Sequence, residues 1–545
     1  MRAIDLYAGI GGWSLGLKLA GIDVVASYEW WQPAIDTHNG NHGGSLKPVD
    51  IRKLDLADLP KDIDLVVGSP PCTEFSYANR GGNGNIAEGM KDLVKFFEVV
   101  DHLKPKFWAM ENVPRVAEVL RQGFGDPKHA LYRFRDLKPQ IEVFDFSEFG
   151  APQSRKRCIA GNIPFDRVKA YRPKVGVRTL GDVVSALATD DEVIDPVWGV
   201  RLETAKLTET QTEPPLNAEE LRMNRESKEF HPVYNNMSFP DPMDHPARTV
   251  TATCTRVSRE SIVIADPKNS GSFRRLSIRE RGCLQGFPIT YQFYARSFSE
   301  KAKMVGNAIP PTFTYLLAQA AQDIAPEDFV GFEQAGDTLK LPRLASLVTP
   351  PDKEGRTYPT TRSFKAALPN LRFKSGMRFE LANTSGQGGT EWKVRFFFGS
   401  SQDIRWVDLD GDVRDELRSA PLVGVAWAEV RGALLLAEDR LRATDADGLQ
   451  AVWTHRASGM SPFDLTDLLG DLADALHARM EAKADIDSLE YVKSYVLEAA
   501  GDVADEEKLP GRSKLEKYAL RIVSGFVVGS WFNTLTWPTK HSVAA

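Results

Sequence analysis

At 545 residues the chain is too long for one ordinary core, so two or three domains are expected. Its 42% hydrophobic and 26% charged residues are those of a globular protein, and a net charge of −6 gives no global basic field, so any polyanion site has to be a local basic patch. Four cysteines, Cys72, Cys158, Cys254 and Cys283, lie far apart without Cys-x-x-Cys spacing, which argues against a zinc site or a disulfide framework and suits a reducing cytoplasm.

The chain opens directly on a strand-like run with no signal peptide, and no apolar stretch is long enough to span a membrane. A cytoplasmic protein with no membrane partner is expected. Strands are predicted over Arg2–Tyr7, Val24–Tyr28, Ile63–Val67, Phe107–Glu111 and Glu142–Phe146. Helices are predicted over Gly12–Ala20, Gln32–His38, Lys91–Leu103 and Val113–Gln122. This alternation implies right-handed βαβ units and a mostly parallel α/β sheet with helices on both faces. After residue 172 the pattern breaks into a mixed, Arg- and Pro-rich stretch, 173–296, with β-like runs at Arg248–Thr253 and Ser261–Ala265. A helix-like segment, Ser299–Ala321, is interrupted at Gly306–Pro311, and 297–330 is expected to complete the first domain. Residues 331–365 read as a linker. The remainder, 366–545, reads as a separate α+β domain. It has strands near Met377–Leu381 and Glu391–Phe398, then a helix with leucines at 465, 468, 469, 472 and 476 on one face.

Asp5-Leu6-Tyr7-Ala8-Gly9-Ile10-Gly11-Gly12 is a strand followed by a glycine turn and a helix, a form that lets backbone approach a ligand beside a helix N-terminus. Glu29 ends the next strand about 20 residues on, where an acidic residue grips ribose hydroxyls. Trp30 beside it can stack on a purine, and Asp50-Ile51 can close a third side. A structural turn explains the glycines alone; with Glu29 and Trp30 a nucleotide-like cofactor is favoured. These residues do not separate NAD from S-adenosylmethionine, although Gly-x-Gly-Gly leans away from a dinucleotide.

Gly68-Ser69-Pro70-Pro71-Cys72 follows the buried strand Ile63–Val67, and the two prolines hold an extended frame that sets the thiol at the carboxyl edge of the sheet, where ligands bind. A lone cysteine is ordinarily a small buried apolar residue; this position favours a reactive one. Glu111 ends another strand at the same edge, where an apolar pocket can raise a carboxyl pKa, or where it can serve as a helix N-terminal carboxylate. In Gln153-Ser154-Arg155-Lys156-Arg157, alternation puts Gln153, Arg155 and Arg157 on one side, suited to a phosphate and a carbonyl, against the plainer reading of a solvated charge run.

In this order, Asp5–Gly12, Glu29-Trp30, Ser69–Cys72, Glu111-Asn112-Val113, Gln153–Arg157, Arg275–Pro288 and Gly306–Pro310 resemble the DNA cytosine-5 methyltransferase family over roughly residues 1–325. The resemblance implies a Rossmann-like domain binding S-adenosyl-L-methionine, a smaller target-recognition domain at 173–296 and double-stranded DNA as substrate. It implies that the Cys72 thiolate attacks cytosine C6, that C5 takes the methyl group, and that a base, water being a candidate, then removes the C5 proton as Cys72 leaves. Glu111 would contact N3 and the exocyclic amine, Arg157 the O2 carbonyl, and Arg155 the nearby backbone or the surroundings of Cys72. The cytosine would be flipped out, with Ala78–Gly89 as a lid. Tyr7, Ala8, Gly9, Gly11, Gly12, Glu29, Trp30, Asp50, Ile51, Pro70 and Asn307 would line the donor pocket, and no metal is implied. Tyr7 stands where the family usually has Phe, and Thr73-Glu74 where Gln often follows the cysteine.

Arg274, Arg275, Arg279 and Arg281 precede Leu284–Pro288, and with Ile278, Leu284 and Phe287 they suggest a helix packed on the target-recognition region. Arg248 and Arg256–Arg259 are candidate phosphate contacts. Glu391-Trp392-Lys393 has the Glu-x-Lys form of some nuclease sites, but strand alternation accounts for it equally, and a protein-contact or accessory DNA-contact module is the better role for 366–545. Methylation of RNA, or a non-catalytic DNA-binding scaffold, are the alternatives. A restriction-modification or phage-defence enzyme is the leading reading.

Overall fold

The computed structural model describes residues 1–71, 75, 86–230, 236–253, 255–348, 356–373, 376–386, 389–400, 403–501 and 509–535. Met1–Lys228 with Ser238–Lys353 form one compact unit, and Glu229–Met237 with Glu354–Ala545 form a second.

The first unit is built on strands β1 (Arg2–Leu6), β2 (Asp23–Tyr28), β3 (Leu65–Gly68), β4 (Phe107–Asn112), β5 (Gln140–Asp145) and β6 (Lys156–Gly161), ordered β2-β1-β3-β4-β6-β5. Pairings β1–β2, β1–β3 and β3–β4 are parallel, whereas β6 runs antiparallel to both β4 and β5. The sheet is thus mixed, and the mostly parallel expectation holds apart from one reversed strand. The period-2 alternation of the strands assigns their side chains to opposite faces. Ala3, Leu65, Val67, Ala109 and Ile159 join one core with Trp13 and Leu17 of helix Gly12–Leu19 and Phe313, Leu316 and Leu317 of helix Pro311–Ala321. Ile4, Leu6, Val66, Trp108 and Ala160 join another with Leu93, Phe96 and Phe97 of helix Ile86–Leu103 and Leu120 of helix Val116–Gly125. Burial on both faces is why β3 reads as a continuous apolar run.

Among the described residues, 173–296 do not have a core of their own. Leu180, Val183, Leu284, Phe287 and Tyr291 share one cluster with Ile10, Leu15 and Ala34. Two short antiparallel pairs lie here, β7 (Glu192–Ile194) with β8 (Arg201–Glu203) and β9 (Val263–Ala265) with β10 (Phe273–Arg275). Arg248–Thr253 is not the strand its composition suggests. Side chains occupy its backbone: the Val250 N–H donates to Gln153 Oε1 at 2.9 Å and the Val250 carbonyl accepts from Arg155 at 3.1 Å. The interrupted helix resolves into Phe298–Asn307 and Pro311–Ala321. Much of the expected linker is docked: residues 332–336 are helical, Leu339, Leu341 and Val348 pack on the core, and the Ser346 carbonyl accepts from Lys301 at 2.8 Å.

The second unit carries a four-stranded antiparallel sheet, β11 (Lys365–Arg372), β12 (Arg378–Gly386), β13 (Gly389–Ser400) and β14 (Asp403–Asp408), in chain order. Trp392, Val394 and Phe396 are buried on the face covered by helices, while Glu391 and Lys393 pair with each other at 2.7 Å on the exposed face. The half-buried strand reading therefore accounts for the Glu-x-Lys spacing. Helix Pro462–Glu481 buries Leu465, Leu469, Leu472 and Leu476, with Leu468 at its margin. Among the described residues no helix is long and apolar enough to cross a membrane.

Candidate active site

Register fixes one edge. Leu6 of β1 pairs with Gly68 of β3, which pairs with Met110 of β4, so the residues just beyond these three emerge side by side. These are the Tyr7–Gly12 turn, Ser69-Pro70-Pro71, and Glu111-Asn112. Asn112 Nδ2 donates to the Pro70 carbonyl at 3.1 Å and Trp13 Nε1 donates to Ser69 Oγ at 3.0 Å, so the proline frame is tied to β4 and to the first helix. Cys72, Thr73 and Glu74 follow directly and lie outside the described residues, as does 78–85 of the expected lid. The lid's last four residues, Ile86–Gly89, are helical rather than loop.

The reversed strand β6 brings Arg157 to the same edge. Its Nε lies 3.0 Å from Glu111 Oε1, and the two side chains are 15% and 7% exposed. Glu111 therefore meets a guanidinium rather than an apolar pocket, and the pair presents a carboxylate and a cation from one locus. Gln153 and Arg155 do not share that locus. Gln153 is fully buried and donates to the Leu284 carbonyl at 2.9 Å. Arg155, 2% exposed, donates to the carbonyls of Val250 and Gly306 at 3.1 and 3.0 Å. The side-by-side reading of the three is corrected to one edge group, Arg157, and two residues that fasten backbone, as the resemblance implied for Arg155.

On the cofactor side, Glu29 is buried. Its Oε2 accepts from the Gly9 N–H at 2.9 Å, and its Oε1 from the N–H groups of Trp30 and Trp31, each at 2.8 Å. The carboxylate first knits the turn, leaving about one of roughly four lone-pair positions for a ligand hydroxyl. Gly9 has φ +54°, and a Cβ there would meet nothing within 4 Å, so open space lies against the turn. Gly11 and Gly12 serve packing instead: added Cβ atoms would come within 2.4 Å of His42 Nε2 and 2.2 Å of the Ile309 carbonyl oxygen. Trp30 is 65% exposed. Val49 N donates to the Glu29 carbonyl at 2.9 Å, which brings Asp50 and the buried Ile51 beside it. Asn307 ends its helix in an exposed position next to the segment that packs on Gly12.

Beneath the turn lies a polar cluster that the sequence did not suggest. Ser14 Oγ donates to the fully buried Asp5 Oδ2 at 2.7 Å, and His38 Nε2 lies 3.2 Å from the same hydroxyl. Burial pushes the Asp5 carboxyl up to about 7 and the His38 imidazole down to about 4. His42 Nε2 lies 3.1 Å from the Tyr291 hydroxyl, which donates to the Ile10 carbonyl.

A sequence profile described as C-5 cytosine-specific DNA methylase matches residues 1–323. The chain belongs to that family. This methyltransferase is similar to the type II methyltransferase M.FnuDI of Fusobacterium nucleatum, 25% identical over 343 residues that cover 59% of this chain and 94% of the relative. It is similar also to M.HgiDI of Herpetosiphon aurantiacus, 28% identical over 335 residues covering 59% and 94%. Among solved structures it is similar to the S. pombe Dnmt2 methyltransferase, with 18% identity, a TM-score of 0.42, and coverage of 60% of this chain and 100% of that one.

The arginine-rich stretch of this methyltransferase is structural. Arg274 pairs with Glu280 at 2.8 Å, and Arg275 with Glu213. Arg279 donates to the Thr208 carbonyl at 3.0 Å, and Arg281 to the Thr251 carbonyl at 2.6 Å. Helix Ile278–Leu284 packs as expected, with Ile278, Leu284 and Phe287 buried. Arg248 binds Asp241 through Nη2 at 2.8 Å, and Arg256 binds Glu220 through Nη2 at 2.7 Å. These two guanidiniums are committed to carboxylates rather than presented to phosphates.

Proposed function

We propose that this C5 cytosine DNA methyltransferase acts on double-stranded DNA as a type II restriction-modification enzyme, taking the methyl group from S-adenosyl-L-methionine through a transient Cys72–C6 bond to a flipped-out cytosine. The observation that carries the reading is the Glu111–Arg157 pair, 3.0 Å apart, at the sheet edge that also holds the glycine turn and the Pro70 frame leading into Cys72. The type II relatives, nearly all of whose length is covered, support the restriction-modification role.

The residues present fit the donor. The open space at Gly9, the exposed Trp30 ring, the remaining acceptor position on Glu29, and Asp50-Ile51 suit a ring, a ribose and a charged tail. Tyr7, Ala8 and Pro70 stand as walls and Asn307 at the margin. When bound, the sulfonium supplies an electrophilic methyl group. Cys72 would add through its thiolate to C6, making C5 nucleophilic; after methylation the C5 proton goes to a base and the C6–S bond breaks, returning the thiolate. Glu111 would meet N3 and the exocyclic amine, and Arg157 the O2 oxygen, countering charge that develops on the ring. Cys158 is a poor alternative nucleophile, since burial pushes its thiol up to about 12. Labelled-methyl transfer to duplex DNA by the wild-type chain, its loss in Cys72→Ser, and bisulfite sequencing of DNA from expressing cells test this. Full transfer by Cys72→Ser, or transfer to structured RNA in preference to duplex DNA, would overturn it.

A further inference from the structure

Tyr7 enters the Ala8–Gly9 turn with φ +55°, a left-handed conformation that a bulky residue keeps only where its surroundings over-determine it. The surroundings are specific. The buried Tyr7 hydroxyl lies 3.2 Å from the Asp92 carbonyl oxygen and 3.3 Å from Asp92 Oδ1. Asp92 is itself held at two points by Arg52, with Nε 2.9 Å from Oδ1 and Nη2 2.7 Å from Oδ2, the planar fork geometry that fixes orientation as well as charge. Arg52 Nη1 continues to Glu88 Oε2 at 3.0 Å, and the Arg52 N–H donates to Asp50 Oδ1 at 3.2 Å. Three segments are joined in this way: the end of β1, the turn that follows Asp50, and the first two turns of helix Ile86–Leu103. Burial and the Asp92 charge hold the Tyr7 phenol protonated well above its ordinary range, so it remains a donor. A phenylalanine at this position could not make the bond.

We propose that Tyr7, Asp92 and Arg52 form a positioning triad for the methyl donor, in which the Arg52–Asp92 fork anchors the Tyr7 hydroxyl and so holds the Ala8–Gly9 turn in its donor-binding shape before the donor arrives. This rests on the reading of the turn as the donor cradle. Shape held in advance removes an ordering cost from binding, so its loss appears in affinity.

The test is calorimetric binding of S-adenosylhomocysteine, without DNA, to the full chain as wild type, Tyr7→Phe, Arg52→Met and the double variant, with thermal midpoints recorded alongside. Each single variant is expected to weaken binding by about three- to ten-fold, and the double by no more than about two-fold beyond the weaker single, because both act through one device. In turnover the loss should fall on the donor KM more than on kcat. Tyr7→Phe removes one oxygen and keeps the ring, so it remains informative should Arg52→Met fold poorly. Unchanged affinity with a lowered thermal midpoint, or losses that multiply in the double variant, would overturn the triad. A wild-type chain that does not bind S-adenosylhomocysteine would instead overturn the donor cradle itself.

Discussion

Replacing Asp5 by Asn should stabilise the first unit at alkaline pH and leave it nearly unchanged in acid. Asp5 is fully buried and its Oδ2 accepts from Ser14 at 2.7 Å, while Oδ1 has no hydrogen-bond partner among the described residues. Burial, opposed by the Ser14 hydrogen bonds and aided by the Glu29 charge, raises the carboxyl from 3.8 to about 7. Because the folded value is the higher, the folded chain binds the proton more tightly, and the associated stability is fully present below pH ~4 and lost as pH rises to ~7. At ~1.4 kcal/mol per pH unit the loss approaches about 4 kcal/mol, of which about 3 falls between pH 5 and 8. Asn keeps an acceptor for Ser14 and carries no charge, so the advantage of Asp5→Asn over wild type should grow by a similar amount across that interval. Hydrogen–deuterium exchange of β1 amides, variant against wild type at each pH, reads this unit without requiring the whole chain to unfold in one step. A protection difference that does not change between pH 5 and 8 would refute the assignment of a buried, proton-holding carboxyl.

Three further outcomes are expected. Glu111→Gln removes the partner of Arg157 at 3.0 Å, and methyl transfer should fall by about 10²-fold or more while donor binding is retained, as separate transfer and calorimetric assays would show. Gly12→Ala sets a Cβ 2.2 Å from the Ile309 carbonyl oxygen, where backbone cannot yield cheaply, and should cost about 1–3 kcal/mol in exchange protection of helix Gly12–Leu19. Glu213→Gln leaves the 3%-exposed Arg275 without its carboxylate and should destabilise the first unit by about 3–5 kcal/mol, measured as lost protection at β10.

What was legible in the chain was what local periodicity and motif order encode. The four parallel strands and the helices between them fall within a few residues of their predicted limits, because apolar runs of branched residues and 3.6-residue spacing report burial directly. The reversed direction of β6 was not legible at all, since side-chain alternation is the same for parallel and antiparallel strands. That reversal is what carries Arg157 to Glu111. The glycines show a related limit. Gly9, Gly11 and Gly12 look alike in sequence, yet only Gly9 faces open space, and what crowds the others, His42 and Ile309, lies 31 and 297 residues downstream.

The arginines mark where sequence reading stops for a physical reason. Arg248 and Arg256 read as phosphate contacts, and Arg275 beside Arg274 as a free charge, because local sequence shows their charge and hides their partners. Arg275 meets Glu213 and Arg256 meets Glu220, across separations of 62 and 36 residues. A guanidinium held in a fork by a buried carboxylate is neutralised and oriented inward, and moving it to a phosphate would strand that carboxylate at a cost of several kcal/mol. The duplex contact proposed above would therefore use groups outside these pairs. Salt dependence gives the check: substituting Arg256 or Arg275 should lower stability and leave the slope of log affinity against log salt unchanged, whereas a true phosphate contact would reduce that slope by about one.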